Sequence, residues 1–178
     1  MTRRTSRPLA RVLLLLLALR LLPLFSSCVN YRLGSMLPAD IRTVHVPTCV
    51  NRTTEPFIEQ DATSAILSAI QMDGSLRVVP REDADSILDI TLTEFWLDPV
   101  SYVSGEASTA NEYRMNIRAN IVLRRAHGSE VILERIGIVG YKEFDFTGDM
   151  TSSKAIALRP AAEDLGRRIV DTIVQYWP

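Results

Sequence analysis

Few side chains in this sequence are of types that make or break bonds, and their spacing argues against it. His45 and His127 are the two histidines, neither within an H-E-x-x-H pattern, and the chain has no C-x-x-C pair, G-x-S-x-G elbow or phosphate-binding glycine loop. Asp83, Asp85 and Asp89 gather at the start of a predicted strand without the spacing of a calcium loop, so a solvated loop and one strand face is the better reading. Asp145 and Asp149 flank Gly148 and could pass for a catalytic carboxylate pair, but a polar loop explains them as well. The expectation is therefore a protein that is not an enzyme and needs no metal or cofactor. Arg114, Arg118 and Arg124 fall on one side of a predicted strand as a cationic ridge. Such a row is commonly a solvated sheet face; its sharper use is to grip phosphates or carboxylates, which guanidinium forks bind in bidentate fashion. The two lysines of the chain, Lys142 and Lys154, bracket the loop before the last predicted helix and can meet a phosphate as point charges.

The residue whose setting specifies a chemistry is Cys28. Arg3, Arg4, Arg7 and Arg11 precede the apolar run Val12–Leu19, and a broken apolar stretch continues to Phe25. A membrane span needs about 20 apolar residues. This run is shorter and is interrupted by Arg20 and Pro23, so residues 1–27 read as a signal peptide. The sequence Leu24-Phe25-Ser26-Ser27-Cys28 resembles a bacterial lipobox, in which the cysteine thiol is diacylated before cleavage. Acyl chains contribute about 0.8 kcal/mol per buried CH₂, so two or three of them anchor a chain stably. Val29 in place of an aspartate resembles lipoproteins sorted to the outer membrane. Cys49 is then a lone thiol on a predicted strand, where core packing is expected. Asn51-Arg52-Thr53 fits a glycosylation sequon, which a bacterial envelope protein does not use.

Composition fits one domain. The chain has 178 residues, 47% hydrophobic and 23% charged, with net charge −1. The leader holds five arginines and no acid, leaving fifteen basic against twenty-one acidic groups in the remainder. A net-acidic body argues against nucleic-acid binding. Residues 28–41 read as a lipid-anchored linker and 42–178 as the folded domain. Thr43–Val50 predicts a strand with Pro47 at an edge or bulge. Ile58, Ala62, Ala65, Ile66, Ala69 and Ile70 recur at helical spacing, and Asp73-Gly74 ends that helix. Leu76–Val79 is a short strand. Leu88, Ile90 and Leu92 alternate with polar residues, and the phase slips near Glu94-Phe95-Trp96, which predicts a bulge. Tyr113, Met115, Ile117, Ala119, Ile121 and Leu123 line one face of the next strand. His127-Gly128 marks a hairpin and Val131–Tyr141 returns. Phe144–Ser153 reads as a loop. Leu158, Ala161, Ala162, Leu165, Ile169 and Ile173 define a last helix, with Pro160 starting its regular part or kinking it. The order β-α-β-β-β-β-α predicts an α+β fold, with two helices packed on one face of a mostly antiparallel four- to five-stranded sheet.

Taken in order, several segments resemble the lipopolysaccharide-assembly lipoprotein family LptE of Gram-negative bacteria. They are Cys28 with Tyr31-Arg32-Leu33, Leu37-Pro38, Ile41–Pro47, the helix ending in Asp73-Gly74, and Leu76-Arg77-Val78-Val79. After these come Ala84–Leu88, Glu112-Tyr113-Arg114-Met115 leading into Ala119–Leu123, and Ala161–Leu165. The resemblance implies a non-enzymatic lipoprotein held to the inner leaflet of the outer membrane, on the periplasmic side, by its N-terminal acyl chains (palmitate among them). It further implies a partner, the LptD β-barrel, which such proteins plug and help to assemble, and a part in lipopolysaccharide transport. Some members bind lipopolysaccharide through basic side chains near the loop before Glu-Tyr and in the segment before the last helix. Lys154 falls in the second region; the first, Tyr102–Asn111, has no basic residue, so Arg114 or Arg118 would stand in. The opening strand-helix-strand is also similar to lipoproteins that activate penicillin-binding proteins or serve curli secretion, which implies the alternative of a lipoprotein that regulates a periplasmic enzyme or a secretion channel.

Overall fold

The computed structural model describes residues 37–38, 40–102, 110–128 and 130–175. The predicted signal peptide, Cys28, most of the linker and Trp177 lie outside the described residues. Strands β1 (Thr43–His45) and β2 (Val50–Asn51) are followed by α1 (Ile58–Asp73), β3 (Arg77–Val78) and a 3₁₀ turn at Arg81–Asp83. Three long strands come next, β4 (Ser86–Tyr102), β5 (Ala110–Arg125) and β6 (Val131–Asp145), and then α2 (Met150–Val174). They form one six-stranded sheet of order β3-β1-β4-β5-β6, with β2 also on β4.

The sheet is mostly antiparallel, as predicted, with short parallel pairings at one side. β4, β5 and β6 pair antiparallel through hairpins, whereas β1 pairs parallel with both β3 and β4, and β2 parallel with β4. A chain that returns through a helix re-enters in the same direction, which is why β1 and β3 run together across α1. The predicted strand Thr43–Val50 is split in two around Pro47, whose ring nitrogen has no hydrogen to give a ladder. That split supplies the sixth strand. The predicted bulge is present, as a register shift between Leu92 and Glu94.

On β5 the inner row Met115, Ile117, Ala119, Ile121 and Leu123 is fully buried beneath the helices, and each large member contributes about 1.5–3 kcal/mol by leaving water. Helix α1 buries Ile58, Ala62, Ala65, Ile66 and Ile70. It ends on Gly74 in the left-handed conformation (φ 74°), with the Gly74 N–H on the Ile70 carbonyl at 3.1 Å. Helix α2 starts ten residues before Pro160 rather than at it. Asp149 is its N-cap, its carboxylate accepting from the Thr151 and Ser152 N–H groups. Pro160 therefore sits inside a 25-residue helix and leaves the Ile156 carbonyl without its usual partner.

Two close approaches set the helix positions. A Cβ on Gly140 of β6 would lie 2.4 Å from the backbone nitrogen of Leu165, so α2 rests directly on β6. A Cβ on Gly166 would lie 3.0 Å from the Ala65 carbonyl oxygen, so the two helices touch backbone to backbone there. The linker predicted to reach residue 41 ends earlier. Ile41 is buried in the core, Leu37 packs against it, and the Ile41 N–H donates to the Pro38 carbonyl.

Candidate functional site

The arginine ridge exists in position but not in charge. Arg118 faces Glu94 and Arg114 faces Glu143 directly across the ladder, and Asp89 lies diagonally from Arg124. All three pairs close: Arg118 on Glu94 at 2.6 Å, Arg114 on Glu143 at 2.6 Å, and Arg124 on Asp89 at 2.7 Å. The Glu143 hydrogen bond raises the Arg114 pKa above its usual value. Aromatic rings lie among the ions. The Arg118 guanidinium sits 5.0 Å from the Trp96 ring centre and that of Arg114 5.2 Å from Tyr141. The Trp96 indole N–H donates to Asp98, which also accepts from Asn116. Exposed pairs of this kind add little stability. They leave the outer sheet face polar, with none of these three arginines presented as bare positive charge.

The ladder of ions turns the corner at β6, the outermost strand on this side. Asp164 of α2 accepts from the Tyr141 backbone N–H at 3.0 Å and pairs with Arg167 and Arg168, while Arg168 covers Tyr141 at 5.0 Å. Burial pushes the Asp164 carboxyl up, but Arg168, the Tyr141 N–H and Arg167 together hold it below the ordinary value. Further down the edge, Gly137 (φ 78°) kinks the strand at a bulge between the Ala119 and Ile121 pairs and turns its N–H onto Asn120.

The two lysines lie on the other side of the sheet from Arg114 and Arg118. Lys142 pairs in register with Met115, whose side chain is in the core, and Lys154 lines a cavity of about 170 Å³ with Met115, Glu55, Thr151, Ala155 and Leu158. Lys154 is committed to Glu55 at 2.6 Å and stands 5.3 Å over the Phe95 ring, both partners of the pair being mostly covered. Lys142 has no ion-pair partner among the described residues. Thus Lys154 lines the cavity beside Met115, Lys142 is the exposed ladder partner of Met115 outside that lining, and Arg114 and Arg118 lie on the opposite face. A second, larger groove of about 340 Å³ runs between the helices, with Ser64, Ser68 and Met72 on one wall and Arg159, Glu163 and Arg167 on the other.

The remaining polar motifs are spent on folding. The Asp85 carboxylate accepts from the Arg42 and Thr43 N–H groups and from the Thr43 hydroxyl, whose oxygen in turn accepts from the Asp85 N–H. The Thr43 hydroxyl and these N–H groups hold the Asp85 pKa below the ordinary value. Asp89 pairs with Arg124 and Asp149 caps α2. Among the described residues no group of three or more His, Cys, Asp or Glu is placed to hold a metal ion. Asn51 of the sequon is tied to Glu55, Glu59 and Thr53 in a turn leading to α1. Cys49 is buried, and burial pushes its thiol pKa up, as for a packing cysteine. The signal that sequence reading lacked is register: alternation shows which face an arginine takes but not which carboxylate stands opposite.

The family model described as lipopolysaccharide-assembly LptE matches residues 41–173. No curated protein matches the chain. Among solved structures, a minor lipoprotein of Acinetobacter baumannii is similar over 75% of this chain and 93% of its own, at 9% identity and a TM-score of 0.50. A lipoprotein B of Nitrosomonas europaea is similar over 82% and 87%, at 18% identity and 0.47. A lipoprotein of Caulobacter crescentus is similar over 71% and 88%, at 11% identity and 0.48.

Proposed function

Because this chain belongs to the LptE family of lipopolysaccharide-assembly proteins, we propose that it is an outer-membrane lipoprotein that plugs an LptD-type β-barrel and assists lipopolysaccharide on its way to the cell surface. The observation that carries the reading is the extent of the family match, which runs from Ile41 to within one residue of the end of α2. The surface chemistry supports it. A barrel lumen is polar, and the outer sheet face offers arginine–carboxylate pairs and half-covered aromatic rings rather than bare apolar surface. Length supports it too. The 17 residues of β4, at about 3.3 Å each, make a ribbon near 55 Å long, against an apolar barrel band of about 25 Å.

In this reading the protein makes and breaks no bonds. Cys28 carries the acyl chains that hold the domain to the periplasmic side of the outer membrane. Lys142, which has no ion-pair partner among the described residues, and Lys154, once released from Glu55, are the contacts for lipopolysaccharide phosphates, while Arg114 and Arg118 lie on the opposite face and act in the plug surface. A mild-detergent pull-down of the tagged full-length lipoprotein from its own envelope, with retained proteins identified by mass spectrometry, tests the proposal. A stoichiometric outer-membrane β-barrel is expected. Recovery of a peptidoglycan synthase or a secretion channel instead would overturn it.

A further inference from the structure

The long ribbon continues past the helices, and its end is built unlike the rest. Met115 lies beneath Thr151 and Ala155 in the first turns of α2. Beyond it the apolar face goes on as Tyr113 and Phe144, whose rings stack at 6.1 Å, with Phe146 edge-on to Tyr113 at 6.4 Å and 38% exposed. On the opposite face Glu112 and Asp145 stand directly across the ladder from each other. Like charges so placed oppose pairing. Neither has an ion-pair partner among the described residues, whereas Asp89, Glu94 and Glu143 on the same sheet each have an arginine.

The backbone there is also unfilled. The Tyr141 N–H points away from β5, since Asp164 takes it, and the Phe146 N–H points toward β5, onto the Asn111 carbonyl. Strand alternation then turns the N–H and C=O groups of Glu143 and Asp145 outward, at the rim where the sheet ends.

We propose that this end of the β6 edge, from Glu143 to Asp145, receives an extended segment of a protein partner that alternates apolar and basic residues. A strand added here places every second side chain beside Phe144, with Tyr113 one strand further in, and the others beside Glu143 and Asp145, with Glu112 one strand behind Asp145. The apolar set continues the ring stack, and the basic set removes the repulsion between Asp145 and Glu112. The same carboxylates repel anionic lipid headgroups, which favours a peptide over a membrane surface. The edge on the other side of Tyr141 is closed by the Asp164 bond and by the Gly137 kink, so the added strand has a fixed limit. The proposal stands apart from the barrel reading: either can fail while the other holds.

The test uses the full-length lipoprotein in detergent micelles and a synthetic peptide of alternating valine and lysine, read by amide hydrogen exchange. The expected result is that exchange at Glu143 and Asp145 slows about tenfold or more. Glu112→Lys and Asp145→Lys, which relieve the like-charge pair and so spare the fold, should each weaken binding about tenfold at low salt. A version of the peptide N-methylated on the bonding amides should not bind. No protection at millimolar peptide, equal binding of the N-methylated peptide, or equal binding of a valine–glutamate peptide would overturn the proposal. Protection of the same amides by phosphatidylglycerol vesicles would assign the surface to lipid and overturn it as well.

Discussion

Replacing Gly140 by alanine should cost this domain more than the same change at Gly137 or Gly166. The new Cβ would fall 2.4 Å from the Leu165 nitrogen and 2.5 Å from its Cα, where ordinary contact begins near 3.4 Å. The obstructing atoms are helix backbone, so no rotamer change relieves the overlap, and α2 must rise from β6 by about 1 Å. A gap of that size forfeits a quarter to a half of the dispersion energy across it. Ala161, Ala162 and Leu165, all fully buried, are the residues that lose contact. Overpacking of this kind costs about 1–3 kcal/mol, and a rigid obstacle puts Gly140→Ala at the upper end, about 3 kcal/mol. For a domain of this size that is a fall of about 10 °C in Tm. Two other glycines calibrate the number. Gly137→Ala meets nothing within 4 Å but sits at φ 78°, so it should lose about 1 kcal/mol from backbone strain. Gly166→Ala approaches the Ala65 carbonyl at 3.0 Å and recovers up to about 1 kcal/mol of helix propensity, so its loss should be smaller than that of Gly140→Ala. Urea denaturation of the three variants and the wild type, at constant detergent, ranks them. A loss below about 0.5 kcal/mol for Gly140→Ala would refute the argument that α2 rests on bare backbone there.

Asp85→Asn should destabilise the domain by about 1.5–3 kcal/mol, because one carboxylate serves two backbone donors and a hydroxyl. The Asp85 pKa is depressed on folding, so its contribution is present above the unfolded value of about 3.9 and is lost as pH falls through the folded value. Denaturation curves of wild type and variant should therefore differ at neutral pH and converge as pH drops below about 4; a gap that stays constant with pH would contradict this. Cys28→Ala should leave an unprocessed or soluble species, and unchanged partitioning into detergent would count against lipidation. Lys142→Glu and Lys154→Gln should weaken lipopolysaccharide binding, more at low than at high ionic strength; variants that bind as the wild type does at both salts would remove these lysines from the ligand site.

Much of the fold was legible because it is local. The alternation from Tyr113 to Leu123 determined which face of β5 is buried, and the stripe from Ile58 to Ile70 determined which side of α1 faces the sheet. The bulge near Glu94 showed as a slip in phase. What sequence reading missed depends on residues far apart in the chain. Parallel pairing of β1 with β3 and β4 is decided by where α1 delivers the chain, not by any pattern within Thr43–His45. The start of α2 was hidden because Pro160 is a stronger local signal than the Asp149 cap eleven residues before it. At the candidate site the arginines were visible and their partners were not. A period of two shows that Arg114 faces outward; only the pairing of β5 with β6 brings Glu143 opposite. Asp164 is visible locally only as the i,i+3 and i,i+4 partner of Arg167 and Arg168; its bond to the Tyr141 N–H, 23 residues away, has no local signal.

Aggregation through a sheet edge needs an uninterrupted row of outward backbone groups. On β6 that row is cut by the kink at Gly137 and again by the Asp164 carboxylate on the Tyr141 N–H. The runs left between the cuts are too short for two copies to zip together into a continuous stack. Two β6 edges therefore lack a continuous row through which to stack, while a short foreign strand still finds room at the end of the ribbon. Resistance to self-stacking is thus supplied by one kinked glycine and one helical carboxylate, neither of which lies in the core.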